Sequence, residues 1–298
     1  MTRVRRGLRG LLAYVRPTFM FPAVGMSAYG SALASPTAFE WSIAVLHAGT
    51  VGLALLVAHL RDGYVDGHLR GEEVPRLGVG ALKLGIGVGT VSVLLLSGVL
   101  AAVAGALAAL STGFLLALAL LHAPYLDRHP VTVTTDYPLG IGTAVVGGYA
   151  AQSGGIAVGV AVTAALFVCL LSGIKVGIDR LDRSFDASIG KRTVPIVLGS
   201  RGADLTAVGV FLLTALATAA VGLAGSSGSL PVRGPFAFLA ASTPLACLFA
   251  TLWLEGERAV RVQMASTYVF AVGLFVSVCT DGCAGGAILE RAFAVALG

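Results

Sequence analysis

Residues 182–199 read DRSFDASIGKRTVPIVLG, and this stretch closely follows an apolar run over residues 156–178. Two of its acids, Asp182 and Asp186, are four residues apart, and Asp179 lies one turn before them. Residues four apart fall on one face of a helix, so these carboxylates are expected to lie together. Charge beside a bilayer is costly, and clustered acids there usually have a partner or a function. The stretch therefore predicts a membrane helix that ends at an acidic site.

A second acidic segment occurs earlier in the chain, where residues 62–70 read DGYVDGHLR. Asp62 and Asp66 have the same spacing of four and also follow an apolar run. If the two acidic faces point at each other, they form an oxygen-rich site for a hard divalent cation. Magnesium prefers a few carboxylates together with the phosphate oxygens of a substrate. The two segments therefore favour magnesium-dependent chemistry on a diphosphate.

The composition indicates an integral membrane protein. Of the 298 residues, 56% are hydrophobic and only 12% are charged, and the mean hydropathy is +0.90. Apolar runs of roughly 17–25 residues are long enough to cross a bilayer as helices. They predict an all-α protein with one transmembrane domain over residues 1–298 and nine spans, near residues 18–35, 42–60, 82–100, 103–123, 136–151, 156–178, 203–224, 235–254 and 263–280.

The distribution of basic residues predicts the orientation of these spans. With nine spans, 18 of the 20 Lys and Arg residues fall on one side, and only Arg233 and Arg291 fall on the other. The side rich in Lys and Arg is the cytoplasmic side. We therefore expect the N-terminus and both acidic segments at the cytoplasmic face of the cell membrane. Contact with membrane lipids accounts for the net charge of +5 without a nucleic acid partner.

The four cysteines are too few for a disulfide framework. Cys279 and Cys283 are four residues apart and could meet on a helix. Pairs on adjacent turns more often consist of small apolar residues that are not bonded to each other. We therefore expect these two thiols to be unpaired.

Residues 182–199 resemble the second signature of the UbiA superfamily of intramembrane prenyltransferases, in which D-x-x-x-D is followed by G-K-R-T, a short apolar run and a glycine. The stretch Asp66-Gly67-His68-Leu-Arg70 resembles the end of the first signature of that family, N-D-x-x-D-x-x-x-D. The Arg16-Pro17 pair and nine helices with two cytoplasmic acidic loops are also typical of the family. The resemblance covers almost the whole chain and implies a UbiA-type helix bundle.

The first signature departs from the family pattern. If Asp62 and Asp66 match its last two acids, Ala58 and His59 stand where the family has Asn and Asp. An alternative register places Arg61-Asp62 at that pair, but Asp66 then falls one residue late. In either register the segment offers two carboxylates where the family usually has three. Glu72 and Glu73 lie nearby, and acids in a loop are more often solvated than bound to a ligand.

The resemblance implies magnesium ligands, which are Asp62, Asp66, Asp179, Asp182 and Asp186. All of these except Asp179 are also expected to be catalytic, because the bound magnesium stabilises the departure of diphosphate from a prenyl diphosphate donor. The resemblance further implies side chains that contact the diphosphate, which are His59, Arg128, Lys175, Lys191 and Arg192. The prenyl group then passes to an aromatic or lipid acceptor.

Several of these residues have a simpler interpretation that the sequence leaves open. Arg128 could pair with Asp127, and Lys175 could form an i,i+4 salt bridge with Asp179. Lys191 and Arg192 could contact lipid headgroups, as basic residues at the cytoplasmic face often do.

Two other functions compete with prenyl transfer. A UbiA-type terpene cyclase would ionise the same diphosphate, and a double bond of the isoprenoid itself would capture the cation. A transporter or scaffold is the third possibility, because acids within membranes also serve proton-coupled carriers. The acids of this chain lie at helix ends in a diphosphate-type signature, which favours an enzyme.

The predicted orientation can be tested with reporter fusions. Fusions after Asp66, Arg128 and Arg192 should all report a cytoplasmic position, and a fusion near Gly228 should report an external one. Opposite sides for the Asp66 and Arg192 fusions would contradict the shared role of the two acidic segments.

Overall fold

The computed structural model describes residues 9–279 and 282–297, and all regular secondary structure in them is helical. Residues 9–12 are helical. The helices that follow are α1 (Pro17–Ala32), α2 (Trp41–Tyr64), α3 (Val79–Ala104), α4 (Ala106–Tyr125), α5 (Pro130–Ser153), α6 (Val158–Leu181), α7 (Arg183–Ser188), α8 (Val194–Ser226), α9 (Gly234–Trp253), α10 (Gly256–Val278) and α11 (Ala284–Leu297). A π-helical turn, Val65–Arg70, extends α2, and a 3-10 turn, Leu126–Arg128, follows α4.

The nine predicted spans each overlap one of the long helices α1–α6 and α8–α10. Within the described residues, seven of these helices are long and apolar enough to cross a membrane. The other two are α1, which has 16 residues, and α5, which carries Thr132, Thr135 and Asp136 near its start. The prediction of an all-α, multi-pass membrane protein is confirmed.

Two glycines set helix boundaries that the apolar pattern leaves uncertain. Gly105 has a φ of 94° and separates α3 from α4 inside one continuous apolar stretch. Gly199 has a φ of 73° and interrupts α8, which begins at Val194 and therefore extends well before the predicted span 203–224. Because L residues rarely adopt positive φ, glycine is the residue that allows each break.

The described residues form two compact units. The first unit contains the described residues up to Ser31, residues 40–127 and residues 143–155. In this unit α2, α3 and α4 pack against one another, and Leu60 and Leu82 are buried together with Tyr14. Gly148 allows α5 to approach α1 closely, because a Cβ there would lie 2.0 Å from the carbonyl oxygen of Ser27.

A buried histidine links three helices of the first unit. His47 of α2 is fully buried, with Nδ1 2.7 Å from Ser27 Oγ of α1 and Nε2 3.1 Å from Ser111 Oγ of α4. Ser111 donates its own proton to the carbonyl oxygen of Ala108, so it accepts from Nε2 of His47. A neutral His47 therefore carries its proton on Nε2 and accepts at Nδ1 from Ser27. All of its hydrogen-bonding capacity is used within the helix bundle, which is the usual condition for a buried polar group.

The second unit contains residues 32–39, residues 128–142 and the described residues from Ile156 onward. Here α8 packs on α6 and α9, and α10 packs on α9 and α6. Phe167 and Phe270 meet edge to face with ring centroids 5.3 Å apart. Gly173 leaves room for the buried ring of Phe211, since a Cβ at position 173 would lie 2.6 Å from that ring. These contacts fix α6, which leads directly into the second acidic segment.

The expectation that Cys279 and Cys283 are unpaired is wrong, because the two residues form a disulfide bond. The helix α10 ends at Val278, so the cysteines do not lie on one continuous helix, and their Cα atoms are 5.2 Å apart. Disulfides persist in oxidising compartments. The side of the membrane on which this end of α10 lies stays a prediction.

Candidate functional site

The first acidic segment lies where α2 widens into the π-helical turn. The backbone N–H of Val65 donates to the carbonyl oxygens of Arg61 and Asp62, and Gly71 ends the turn with a φ of 69°. The backbone N–H of Glu72 then donates to the carbonyl oxygen of Asp66 at 2.8 Å. The chain therefore turns back immediately after the acidic segment and brings Glu72 close to it.

Arg70 is the centre of an ion-pair network with three carboxylates. Its Nη1 lies 2.6 Å from Oδ2 of Asp127, 3.5 Å from Oδ1 of Asp66 and 3.6 Å from Oε1 of Glu72. The side chains of Asp127 and Glu72 are each only 3% exposed, so they depend on this guanidinium for their charge balance. The predicted magnesium ligand Asp66 is therefore already paired with a resident cation.

Asp62, the other predicted ligand of this segment, faces the end of α4. Its Oδ1 lies 3.9 Å from Nε2 of His122, and its side chain is 25% exposed. The neighbouring Arg61 donates from Nε to the carbonyl oxygen of Ala123 at 3.1 Å. These contacts attach the end of α2 to the end of α4.

His59 makes a backbone contact in this structure. Its Nδ1 lies 3.2 Å from the carbonyl oxygen of Tyr14. A carbonyl oxygen only accepts, so Nδ1 carries the proton, and Nε2 of a neutral His59 is an acceptor. A hydrogen bond from Nε2 to a diphosphate therefore requires the imidazolium form.

The second acidic segment is a short helix between two breaks. The helix α6 ends at Leu181, and Asp182 is the N-cap residue of α7. Gly190 turns the chain with a φ of 74°, and the backbone N–H of Lys191 donates to the carbonyl oxygen of Asp186 at 3.0 Å. Thr193 is the N-cap of α8, and Pro195 lies in the first turn, where its missing N–H has no cost. The G-K-R-T stretch is therefore the link between α7 and α8.

Asp179 and Lys175 form the salt bridge that their spacing allows. The Nζ of Lys175 donates to Oδ1 of Asp179, which is 3% exposed. The other carboxylate oxygen, Oδ2, is buried and has no hydrogen-bond partner in the part of the chain that the structure describes. An unsatisfied carboxylate oxygen is costly, and such an oxygen is suited to bind a cation.

Asp186 is also buried, with 6% of its surface exposed. Burial raises the pKa of its carboxyl above the ordinary value, and the charge of Asp182 adds to the increase, while Lys191 and Lys175 oppose it. These interactions place the three acids of the segment and its two lysines within electrostatic reach of one another. The second segment thus combines two buried carboxylates, Asp179 and Asp186, with the exposed Asp182 and two lysine ammonium groups.

Two predicted diphosphate contacts, Arg128 and Arg192, are exposed. Asp127 pairs with Arg70. The alternative pairing of Asp127 with its neighbour Arg128, which the sequence left open, is therefore replaced by this contact. Among the described residues, no group of three or more His, Cys, Asp or Glu side chains is arranged closely enough to hold a metal ion. The donor set itself fits magnesium, because hard carboxylate oxygens are present, one of them without a hydrogen-bond partner.

Sequence reasoning missed the roles of Arg70, Glu72 and Asp127. Glu72 was expected to be solvated, whereas its side chain is buried against Arg70; Glu73 is half exposed and lies 3.6 Å from Arg16. The spacing of four residues between Asp66 and Arg70 does predict their ion pair. The contact with Asp127 joins residues 57 positions apart (127 − 70 = 57), and no local pattern predicts it.

No protein-family profile matches the chain, and no curated protein sequence matches it. Solved structures do match. A structure of digeranylgeranylglyceryl phosphate synthase superposes with a TM-score of 0.69 at 16% identity, over 91% of this chain and 98% of its own. A UbiA homolog from Aeropyrum pernix K1 superposes with a TM-score of 0.65 at 17% identity, over 88% of this chain and 98% of its own. The chain has the UbiA fold.

A further structure with the UbiA fold contains ligands. This UbiA homolog from Archaeoglobus fulgidus is bound to GPP and Mg2+ and superposes with a TM-score of 0.65 at 16% identity. The match covers 92% of this chain and 99% of the homolog. The architecture expected from the two acidic signatures, an all-α membrane protein with the UbiA fold, is therefore confirmed.

The Arg70 network leads to a stability prediction. Replacing Arg70 with methionine keeps the apolar stem of the side chain but removes its charge, which leaves Asp127 and Glu72 buried without their cation. Arg70→Met should therefore reduce the free energy of unfolding by roughly 3–5 kcal/mol. The matched control is Arg128→Met, an exposed change that should stay within about 0.5 kcal/mol of wild type. Denaturant titration of both variants in detergent provides the measurement. Equal stability of the two variants would show that the network contributes nothing to the fold.

Proposed function

We propose that this protein is a magnesium-dependent intramembrane prenyltransferase that moves an isoprenyl group from a prenyl diphosphate to a lipid-soluble acceptor. The observation that carries the proposal is the second acidic segment, where Asp182 and Asp186 lie within electrostatic reach of Asp179 at the end of a membrane helix. The UbiA fold supports it, and the homolog from Archaeoglobus fulgidus binds GPP together with Mg2+.

The carboxylates of the second segment, of which Asp179 and Asp186 are buried, are the candidate metal ligands. Oδ2 of Asp179 is oriented by the bond from Lys175 to Oδ1 and has no hydrogen-bond partner in the described residues. Asp182 and Asp186 supply further hard oxygens nearby. When bound, magnesium supplies Lewis-acid stabilisation of the leaving diphosphate.

The first segment has a different charge balance. Asp62 and Asp66 are candidate ligands there, but Arg70 already holds Asp66 and two further acids. A guanidinium presents five N–H donors in a planar fork that suits diphosphate oxygens. We propose that Arg70 orients Asp66 and neutralises part of the negative charge of the three acids around it.

Basic side chains beside the acids would bind the diphosphate directly. Lys191 and Arg192 follow the second cluster in the link to α8, and Arg128 lies in the turn after α4. Lys175 holds Asp179 and also lies within electrostatic reach of Asp186. Charge-assisted hydrogen bonds of this kind strengthen as negative charge develops on the leaving group.

Product analysis is the experiment that tests this function. Purified protein, magnesium and a radiolabelled prenyl diphosphate should release diphosphate and transfer the label to acceptors in a lipid extract. A hydrocarbon or terpene alcohol formed without any acceptor would identify a cyclase instead. Absence of both products across prenyl donors of different length would contradict an enzymatic function.

Asp182→Asn and Asp186→Asn should reduce turnover about 100-fold or more, since each removes a charge that helps to stabilise the transition state. Both variants should still fold and insert, because asparagine has nearly the volume of aspartate. The control is Glu257→Gln, an exposed change at the start of α10. Turnover within threefold of wild type in either aspartate variant would refute the assignment of this segment.

Position 59 tests the register of the first segment. His59→Asp restores the family's acid in the preferred register, so it should lower the magnesium concentration needed for half-maximal activity. His59→Asn is the uncharged control and should leave this concentration at the wild-type value, while His59→Ala should mainly weaken donor binding. Magnesium titration of the four proteins with one prenyl diphosphate gives the comparison. An inactive His59→Asp beside a normal His59→Ala would favour the alternative register instead.

A further inference from the structure

A cavity of about 130 Å³ lies within the second unit, and none of the residues that line it is among those proposed for the reaction. It is bordered by α6, α8, α9 and α10. The residues from α6 and α9 lie near the ends of those helices and those from α10 near its start, and the residues from α8 follow its break at Gly199. Arg180 is in the last turn of α6, Thr251 is near the end of α9, and Gly256 is the first residue of α10. Because these helices span the membrane, the cavity lies at the boundary of their spans.

A buried amide forms the inner end of the cavity. Gln263 is 2% exposed, and its Nε2 donates to Thr251 Oγ1 at 2.9 Å and to the carbonyl oxygen of Cys247 at 3.4 Å. A carbonyl oxygen only accepts, so this contact fixes which end of the amide carries the N–H groups. Oε1 of Gln263 is buried and has no hydrogen-bond partner within the described ranges. The inner end of the cavity thus presents an acceptor that needs a donor.

A glycine leaves space in the cavity wall beside Oε1 of Gln263. A Cβ at Gly177 would lie 3.2 Å from Oε1 of Gln263. Apolar side chains of Val176, Leu181 and Val260 line the same cavity. A ligand group that donates to Oε1 of Gln263 would therefore lie among mainly apolar side chains.

A cation lies at the outer part of the cavity. The side chain of Arg180 is 42% exposed and pairs with Asp204, which is 31% exposed. A guanidinium has five N–H donors, so its pairing with one carboxylate leaves its fork geometry suited to a phosphate as well. The cavity therefore combines an inner acceptor with an outer phosphate-binding group.

We propose that this cavity binds the headgroup of a phospholipid whose phosphate contacts Arg180 and whose terminal group donates to Oε1 of Gln263. The ammonium of phosphatidylethanolamine and the hydroxyls of phosphatidylglycerol both provide that donor. Phosphatidylcholine carries a quaternary ammonium without an N–H and does not. The lipid source follows from the position of the cavity near the ends of the membrane helices α6, α9 and α10 and from its apolar wall.

Native mass spectrometry of the purified full chain tests the proposal. The probes are phosphatidylethanolamine, phosphatidylglycerol and phosphatidylcholine with identical acyl chains. One hydrogen bond corresponds to roughly a threefold to tenfold difference in retention, so the first two lipids should exceed phosphatidylcholine by that factor. Addition of soluble phosphoethanolamine distinguishes a membrane lipid from a free headgroup compound. If the acyl chains contribute nothing to binding, phosphoethanolamine at equal concentration should displace the lipid, and for a lipid site it should not.

Variants at both ends of the cavity provide the matched controls. Gln263→Met should abolish the preference over phosphatidylcholine, and Arg180→Gln should lower retention of all three lipids. Asp204→Asn removes the same ion pair but keeps the guanidinium, so it should retain the lipids at least as well as wild type. If Gln263→Met fails to fold, Gly177→Ala covers Oε1 instead, with Gly209→Ala as the control in open space.

The outcomes separate a lipid site from a water-filled gap. Equal retention of the three lipids by wild type, or a preference that survives Gln263→Met or Gly177→Ala, would show that water alone satisfies Gln263. Equal losses in Arg180→Gln and Asp204→Asn would show that their ion pair is only structural. Each of these results would overturn the proposal.

Discussion

A carboxylate that is removed from water must be balanced by a cation or by donors, and this requirement organises both acidic segments. In the first, one guanidinium balances three acids, and the ends of α2 and α4 are held together through Arg70 and Asp127. In the second, Lys175 balances one oxygen of Asp179 and leaves the other without a hydrogen-bond partner in the described residues. The helices can carry these acids only because the cations are built into the same units.

The difference between the two segments has a chemical meaning. Arginine keeps its charge and its fork geometry permanently, so a segment organised by Arg70 has a fixed positive centre. A lysine ammonium is a compact charge on a flexible stem, and the second segment keeps buried carboxylate oxygens for further ligands. The second segment therefore keeps a buried oxygen for a cation, whereas the carboxylates of the first outnumber the one guanidinium that pairs with them.

The sequence predicted the helices well because apolar runs of membrane length have few alternatives. Both acidic segments were also found from spacing alone. The partners of those acids were not, because the contact of Arg70 with Asp127 depends on how α2 packs on α4. The disulfide between Cys279 and Cys283 was missed for a related reason, since the end of α10 at Val278 changed the geometry between two residues that a continuous helix would keep on one face.

The π-helical turn over Val65–Arg70 also changes how this segment should be aligned with other proteins. A turn closed by i→i+5 hydrogen bonds holds one residue more than an α-helical turn, while the helix before it keeps its geometry. Residue counts along this part of the chain therefore do not translate directly into positions around the helix axis. In the register that places Arg61-Asp62 at the Asn-Asp pair, a one-residue insertion inside the turn would bring Asp66 onto the middle acid, so the mismatch of one residue does not by itself exclude that register.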